Sequence, residues 1–183
     1  SAMGDTTDNL ISLAKQITNN ADKRELDALL STGEMISASL LAMAIKDMGY
    51  DAVSYTAYQI GIKTNGQYGK SFISDINDNK IRKSLEKGKI VIVAGFQGIN
   101  EEGNITTLGR GGSDTTAVAI AAKFNGICEI YTDVDGIYST DPRVYSNVNC
   151  MGSPPLKLNR IGKSQQIVLG LEGVLDSKTG GYR

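Results

Sequence analysis

Apolar positions recur along this chain at two periods, and the alternation between them lays out its elements. Leu10, Ile11, Leu13, Ala14 and Ile17 fall at helical spacing within Asp8 to Ile17, and Thr6, Thr7 or Asp8 can cap that helix. Asn19 to Lys23 reads as a turn and Arg24 to Leu30 as a short helix. Ser31-Thr-Gly then leads into Glu34 to Met48, a helix apolar on most sides that must pack against a sheet and other helices, with Gly49 suited to end it. Asp51 to Tyr55 reads as a strand, followed by a Tyr-, Gln-, Gly- and Asn-rich stretch and a short strand at Ser71 to Ser74. Asp78 to Lys87 is an amphipathic helix stopped by Gly88. Lys89 to Gly95 is a buried strand, Gln97 to Asn104 a turn-rich connection, Val118 to Phe124 part of a helix, and Ile127 to Tyr131 another strand.

Strands alternating with helices predict an α/β fold, a three-layer αβα sandwich with a mainly parallel sheet covered on both faces. From Val144 onward the pattern gives out. Met151-Gly-Ser-Pro-Pro breaks the chain, and Ile167 to Leu171 is the one short apolar run that follows. There is no internal repeat.

Composition narrows the classes. The 183 residues fit one domain, with 40% hydrophobic and 21% charged residues, as in an ordinary globular protein. A net charge of −1 without a basic block disfavours a nucleic-acid or anionic-membrane surface. No apolar run approaches the ~20 residues of a membrane span, and no signal peptide opens the chain, so the expected location is the cytoplasm. The opening Ser-Ala-Met-Gly-Asp-Thr is loop-like, as though a strand preceded it. Cys128 and Cys150 lack metal spacing and are expected to be free thiols. The chain has no histidine, which removes Ser-His-Asp and Cys-His nucleophilic sites and histidine-ligated metals. No metal site is expected.

The chemistry concentrates in Thr106-Thr-Leu-Gly-Arg-Gly-Gly-Ser-Asp-Thr-Thr-Ala117. Gly109, Gly111 and Gly112 can take positive φ, and Ser113 or Asp114 can cap the helix that follows. Arg110 adds a planar permanent cation, so strand, glycine turn and helix N-terminus together describe an anion site. The spacing fits neither a P-loop nor Gly-x-Gly-x-x-Gly. Ser1 to Thr7 is a second polar loop ending at a helix N-terminus. Glu34 lies in the first turn of its helix, where it either complements the helix dipole or meets a ligand. In parallel sheets ligands bind beyond the carboxyl ends of the strands, where both loops would lie.

Several stretches together resemble the aspartokinases of the amino-acid-kinase superfamily. They are Ser1 to Asp8, Leu30-Ser-Thr-Gly-Glu34, Val93-Ala-Gly-Phe-Gln97, Thr106 to Thr116 and Thr132 to Arg143. Thr132-Asp-Val-Asp-Gly with Tyr138 and Asp141-Pro marks the superfamily, whereas Leu-Ser-Thr-Gly-Glu with Leu-Gly-Arg-Gly-Gly-Ser-Asp is specific to aspartokinases. The resemblance implies the amino-acid-kinase (carbamate-kinase-like) fold, incomplete here, with residues 1–147 a partial catalytic domain and 148–183 unassigned. It implies ATP-dependent phosphorylation of the β-carboxylate of L-aspartate, the first step towards lysine, threonine and methionine, with Mg²⁺ bridging the phosphates. A homo-oligomer is expected for the complete enzyme.

Carried onto this sequence, the resemblance has Arg110 clamp a substrate carboxylate and Glu34 pair with the substrate ammonium. Thr7 and Ser113 would hydrogen-bond the aspartate, Ser1 would stand beside the transferring phosphate, and Asp114 would orient cationic groups there. Thr132, Asp133, Tyr138 and Arg143 would hold the nucleotide. A carboxylate nucleophile is already ionised at neutral pH, so the lack of histidine is no obstacle. The family's Lys-Phe-Gly-Gly loop, its second nucleotide lysine and its regulatory modules do not occur in this sequence, so this stretch alone is expected to be inactive. The alternatives are a non-catalytic nucleotide- or amino-acid-binding fragment, or a uridylate or glutamate 5-kinase of the same fold. Glu34 and Arg110 suit a zwitterion better than a nucleobase.

Overall fold

The computed structural model describes residues 1–109 and 111–131, together with the backbone of four strands beyond them, 137–138, 150–152, 156–158 and 167–171. The chain opens with three helices, α1 (Thr6–Ile17), α2 (Lys23–Leu30) and α3 (Thr32–Asp47). Strand β1 (Ala52–Tyr55), the single turn α4 (Ala57–Ile60), β2 (Ile62–Asn65), β3 (Phe72–Ile76) and α5 (Asn79–Leu85) follow. Next come β4 (Ile90–Val93), β5 (Gln97–Ile99), β6 (Ile105–Thr107), α6 (Gly112–Phe124) and β7 (Ile127–Tyr131). The four further strands are β8 (Ile137–Tyr138), β9 (Cys150–Gly152), β10 (Leu156–Leu158) and β11 (Ile167–Leu171).

The α/β class read from the sequence holds. Crossover connections give the parallel pairs β1–β4, β2–β5 and β7–β11, while β2–β3, β5–β6, β7–β10 and β8–β9 pair antiparallel. The resulting sheets are β1–β4, β3–β2–β5–β6, β10–β7–β11 and β8–β9. Helices α3 and α5 rest on the β1–β4 pair, α2 on β6, and α6 on both β7 and β3.

Two clusters account for the core among the described residues, and α6 belongs to both. Ile120 and Phe124 of α6 pack with Ala57, Ile60, Ile62, Ile76 and Ile81, while Ala117 and Ala121 pack on Cys128 and Ile130 of β7. That double duty explains why the segment reads as apolar on most sides. Burying each large side chain contributes about 1.5–3 kcal/mol, and the alanines let helix and strand approach closely.

Three readings from the pattern need correction. Gln97 to Asn104 is not a simple turn, because β5 and β6 form a hairpin closed by Asn100, whose side-chain oxygen accepts from the Asn104 N–H at 2.9 Å. Each of these strands is three residues long, too short for a period to register. The Tyr- and Gly-rich stretch contains α4, closed by a capping box between Thr56 and Gln59, and then β2. The proposed caps also move. Asp5 precedes α1 without a side-chain cap, and Gly111, at φ 70°, occupies the N-cap of α6, placing Ser113 and Asp114 inside its first turn.

The helical stretch Lys23–Asp47 meets the length and apolarity of a membrane span, contrary to the expectation that none approaches it. It carries the buried carboxylates Asp27 and Glu34, and α3 lies against β1 and β4.

Candidate functional site

The amino-terminal loop folds onto the start of α3. Gly33 leaves room for it, since a Cβ there would sit 3.0 Å from the Ala2 Cβ and 3.4 Å from the Thr6 Cγ2. The Ala2 N–H donates to Glu34 Oε1 at 3.1 Å, and the Ser37 hydroxyl donates to the Ser1 carbonyl. Ser1, Glu34 and the half-buried Thr7, next to Thr6, therefore share one corner of the molecule.

Glu34 is 4% exposed, and its second oxygen, Oε2, has no hydrogen-bond partner among the described residues. Burial pushes its carboxyl above the ordinary value of 4.5, opposed by a hydrogen bond from its own N–H, by the positive charge of the Ser1 amino group and by the Ala2 N–H. A helix dipole needs no such burial, so dipole complement alone does not explain the arrangement. An under-partnered acceptor at a helix N-terminus that already holds one N–H suits a small cationic donor.

The second arm is the glycine turn. Gly109 sits at φ 80° where a Cβ would come 3.1 Å from the Gly69 carbonyl oxygen. Gly112, read from the sequence as a positive-φ position, is instead helical and required for space, because a Cβ there would lie 2.7 Å from the Phe96 ring. Ser113 abuts Gly95, whose Cβ would fall 3.1 Å from the Ser113 Cα. Asp114 Oδ1 is buried with no partner among the described residues. Its charge also reaches β7, where the Cys128 thiol is pushed up first by burial and then by Asp114.

One tetrapeptide, Ala94 to Gln97, connects the arms. Phe96 is held at φ 66°, an uncommon conformation for a bulky residue, by three contacts. Its N–H donates to Thr116 Oγ1 at 3.1 Å, its carbonyl accepts from the Leu108 N–H at 2.9 Å, and its ring lies against Gly112. The next residue, Gln97, is 2% exposed and donates through Nε2 to the Ser31 carbonyl at 2.9 Å, just before α3. The start of α3 and the start of α6 are thus tied to the same turn.

Glu34, Ser113 and Asp114 are therefore carried by the two helix N-termini that this tetrapeptide links. Ser1 and Thr7 belong to the loop before α1 and to its first turn, with Ser1 held against α3 by Ser37. Arg110, Thr132, Asp133 and Arg143 lie outside the described residues, as does the side chain of Tyr138, whose backbone forms part of β8. Sequence reasoning missed Asp27, Phe96, Gln97, Thr107 and Thr116, which build the frame around the site. Phe96 and Gln97 stood within a stretch quoted for its resemblance; Asp27 carried no signal. Among the described residues no group of three or more acidic or thiol ligands gathers to hold a metal.

The site thus combines a glycine turn with two helix N-termini that lack side-chain caps on an α/β scaffold. The amino acid kinase family model matches residues 1–152, and the chain belongs to that family. It is 56% identical over 154 residues to the aspartokinase of Bacillus sp. (strain MGA3), covering 84% of this chain and 38% of that protein. It is 59% identical over 144 residues to aspartokinase 2 of Bacillus subtilis, covering 78% of this chain and 35% of the relative. The chain thus spans 35–38% of the length of these curated relatives. Among solved structures, E. coli aspartokinase III in complex with aspartate and ADP matches with TM-score 0.62 at 31% identity, covering 79% of this chain and 33% of that one. Isopentenyl phosphate kinase, at 22% identity and TM-score 0.52, shares the fold alone.

Proposed function

We propose that the protein carrying this chain is an aspartate kinase, transferring the γ-phosphoryl group of ATP to the β-carboxylate of L-aspartate. A carboxylate oxygen bonds to the γ-phosphorus while the bond from that phosphorus to the β–γ bridging oxygen breaks, giving 4-phospho-L-aspartate and ADP. The observation that carries the reading is Glu34, buried in a helix N-terminus with one oxygen unpartnered among the described residues. A substrate ammonium supplies the missing partner, and it distinguishes an amino acid from a nucleobase or an isoprenoid phosphate. The high identity to aspartokinases, and the aspartate and ADP in the complex of a structural relative, support the same choice.

The nucleophile is ionised at neutral pH without a general base, which agrees with a chain lacking histidine. What the residues must do is position two anions and offset their repulsion. In this reading Arg110 and Ser113 receive the substrate carboxylates, Thr7 adds a hydroxyl, and Ser1 stands beside the phosphate in flight. Thr132, Asp133, Tyr138 and Arg143 hold the nucleotide. Asp114, with its unpartnered oxygen, draws cationic groups to the phosphates. Mg²⁺ would be held with the nucleotide's phosphates, where it would neutralise charge. The protein is read as a cytoplasmic enzyme and a homo-oligomer, opening the route to lysine, threonine and methionine.

The test is ADP release from MgATP that depends on L-aspartate, with the acyl phosphate trapped by hydroxylamine as the hydroxamate. Trapped product at kinase rates, about 1–100 per second, is expected. Nucleotide binding without hydroxamate would favour a non-catalytic binding protein instead.

A further inference from the structure

We propose that Asp27 is a positioning residue for amino-acid recognition, the joint that fixes the separation between the two arms of the site. The inference rests on the reading that the site takes L-aspartate. Asp27 is 2% exposed, and none of the ion pairs among the described residues includes it. Its carboxylate is fully engaged all the same. Oδ2 accepts from the Gly69 N–H at 2.9 Å and from the Thr107 N–H at 2.8 Å, and Oδ1 accepts from the Thr107 hydroxyl at 2.9 Å.

These partners belong to separate parts of the fold. Thr107 is the last residue of β6, immediately before Leu108 and Gly109 of the glycine turn. Gly69 lies between β2 and β3, and its carbonyl is the atom against which Gly109 closes. Thr107 is gripped from a further side, its carbonyl accepting from the Ser71 N–H at 3.0 Å. Meanwhile the backbone carbonyl of Asp27 accepts from the Ser31 N–H at 3.0 Å, where α3 and Glu34 begin. One residue therefore grips the glycine turn through its side chain and the ammonium arm through its backbone.

A buried carboxylate is a costly way to hold two loops together unless donors meet both of its oxygens, and here three donors converge on them. An amino acid that bridges both arms reads their separation directly, and small displacements of binding groups are expensive. The nucleotide residues of the proposed site follow β7, which this carboxylate does not touch. Loss of Asp27 should therefore fall on aspartate rather than on ATP.

Asparagine can reproduce the joint. Its oxygen takes the place of Oδ2, and its amide group donates to the Thr107 hydroxyl, which turns to accept. Alanine cannot, and Thr107→Val keeps the shape while leaving Oδ1 without its hydroxyl donor. The experiment measures steady-state kinetics of the protein carrying this chain, with thermal unfolding followed alongside. Asp27→Ala should raise the KM for aspartate about ten-fold or more while the KM for ATP stays within about two-fold. Thr107→Val should move the same way by several-fold, and Asp27→Asn should stay close to wild type on both substrates. Should Asp27→Ala fail to fold, Thr107→Val decides. A folded Asp27→Ala or Thr107→Val protein with an unchanged aspartate KM, or with both KM values raised alike, overturns the proposal. A wild-type protein without aspartate-dependent ADP release overturns the substrate reading and the proposal together.

Discussion

Helices α2 and α4 close their own amino-terminal ends, whereas α3 and α6 leave theirs for something else. Asp22 caps α2 by accepting from the N–H groups of Arg24 and Glu25, and Thr56 and Gln59 form a reciprocal box on α4. Neither α3 nor α6 has a side-chain cap. Both instead carry a carboxylate in the first turn, Glu34 and Asp114, each with a buried oxygen that no described residue satisfies. Lacking a cap is not enough to mark a site, since α5 lacks one too and has no acid in its first turn. The combination of an open helix end and a carboxylate with a buried, unpartnered oxygen sets α3 and α6 apart as the helices of the candidate site.

The contrast can be broken most sharply at Asp114. Asp114→Asn should lower kcat by about 10²–10³, the scale of losing one group that organises charge around a transition state. Melting temperature should change little, because Asp114 is only half-buried; a folded variant with unchanged kcat would return Asp114 to the scaffold.

Glu34 gives a smaller effect with a defined pH sign. Its carboxyl titrates above the ordinary 4.5 in the folded protein, so folding favours the protonated form. That contribution is fully present below 4.5 and is lost as pH rises through the raised folded value. Glu34→Gln should therefore gain stability over wild type as pH rises to neutral, the gap closing under acid. Denaturant unfolding of both proteins from pH 3 to 8 checks this. A gap of constant size would mean that burial does not control the group.

The scaffold side should behave oppositely. Thr56→Ala removes the cap of α4 and should cost about 1 kcal/mol of stability while leaving the aspartate KM unchanged. A shift in KM would show that α4 communicates with the site. Smallest of all, the Cys128 thiol, buried and held protonated by burial and by Asp114, should resist alkylation in the folded protein. Peptide mapping that finds Cys128 modified as fast as a free thiol would contradict its placement against α6.

The sequence carried more of the site than of its frame. Long amphipathic or apolar runs such as Glu34 to Met48 and Val118 to Phe124 declared themselves because a helix repeats its pattern over several turns. The β5–β6 hairpin did not, since three residues per strand leave no period to read. The glycine turn stood out as a candidate anion site, yet Gly112 is there to admit the Phe96 ring rather than to take positive φ. Asp27 could not be singled out, because an acid inside a helix looks like a solvated surface residue until Gly69 and Thr107 close over it. The same limit hid Gln97, whose partner Ser31 lies 66 positions away.

In the proposed site the open end of α3 takes a substrate ammonium through Glu34. Calorimetric titration of the protein carrying this chain with L-aspartate and with succinate, which keeps both carboxylates and lacks the amine, tests it directly. The account predicts that wild type binds aspartate about ten-fold or more tightly than succinate, and that Glu34→Gln loses most of that preference with little change for succinate. Equal binding of the two acids by wild type, or a preference that survives Glu34→Gln intact, would contradict it.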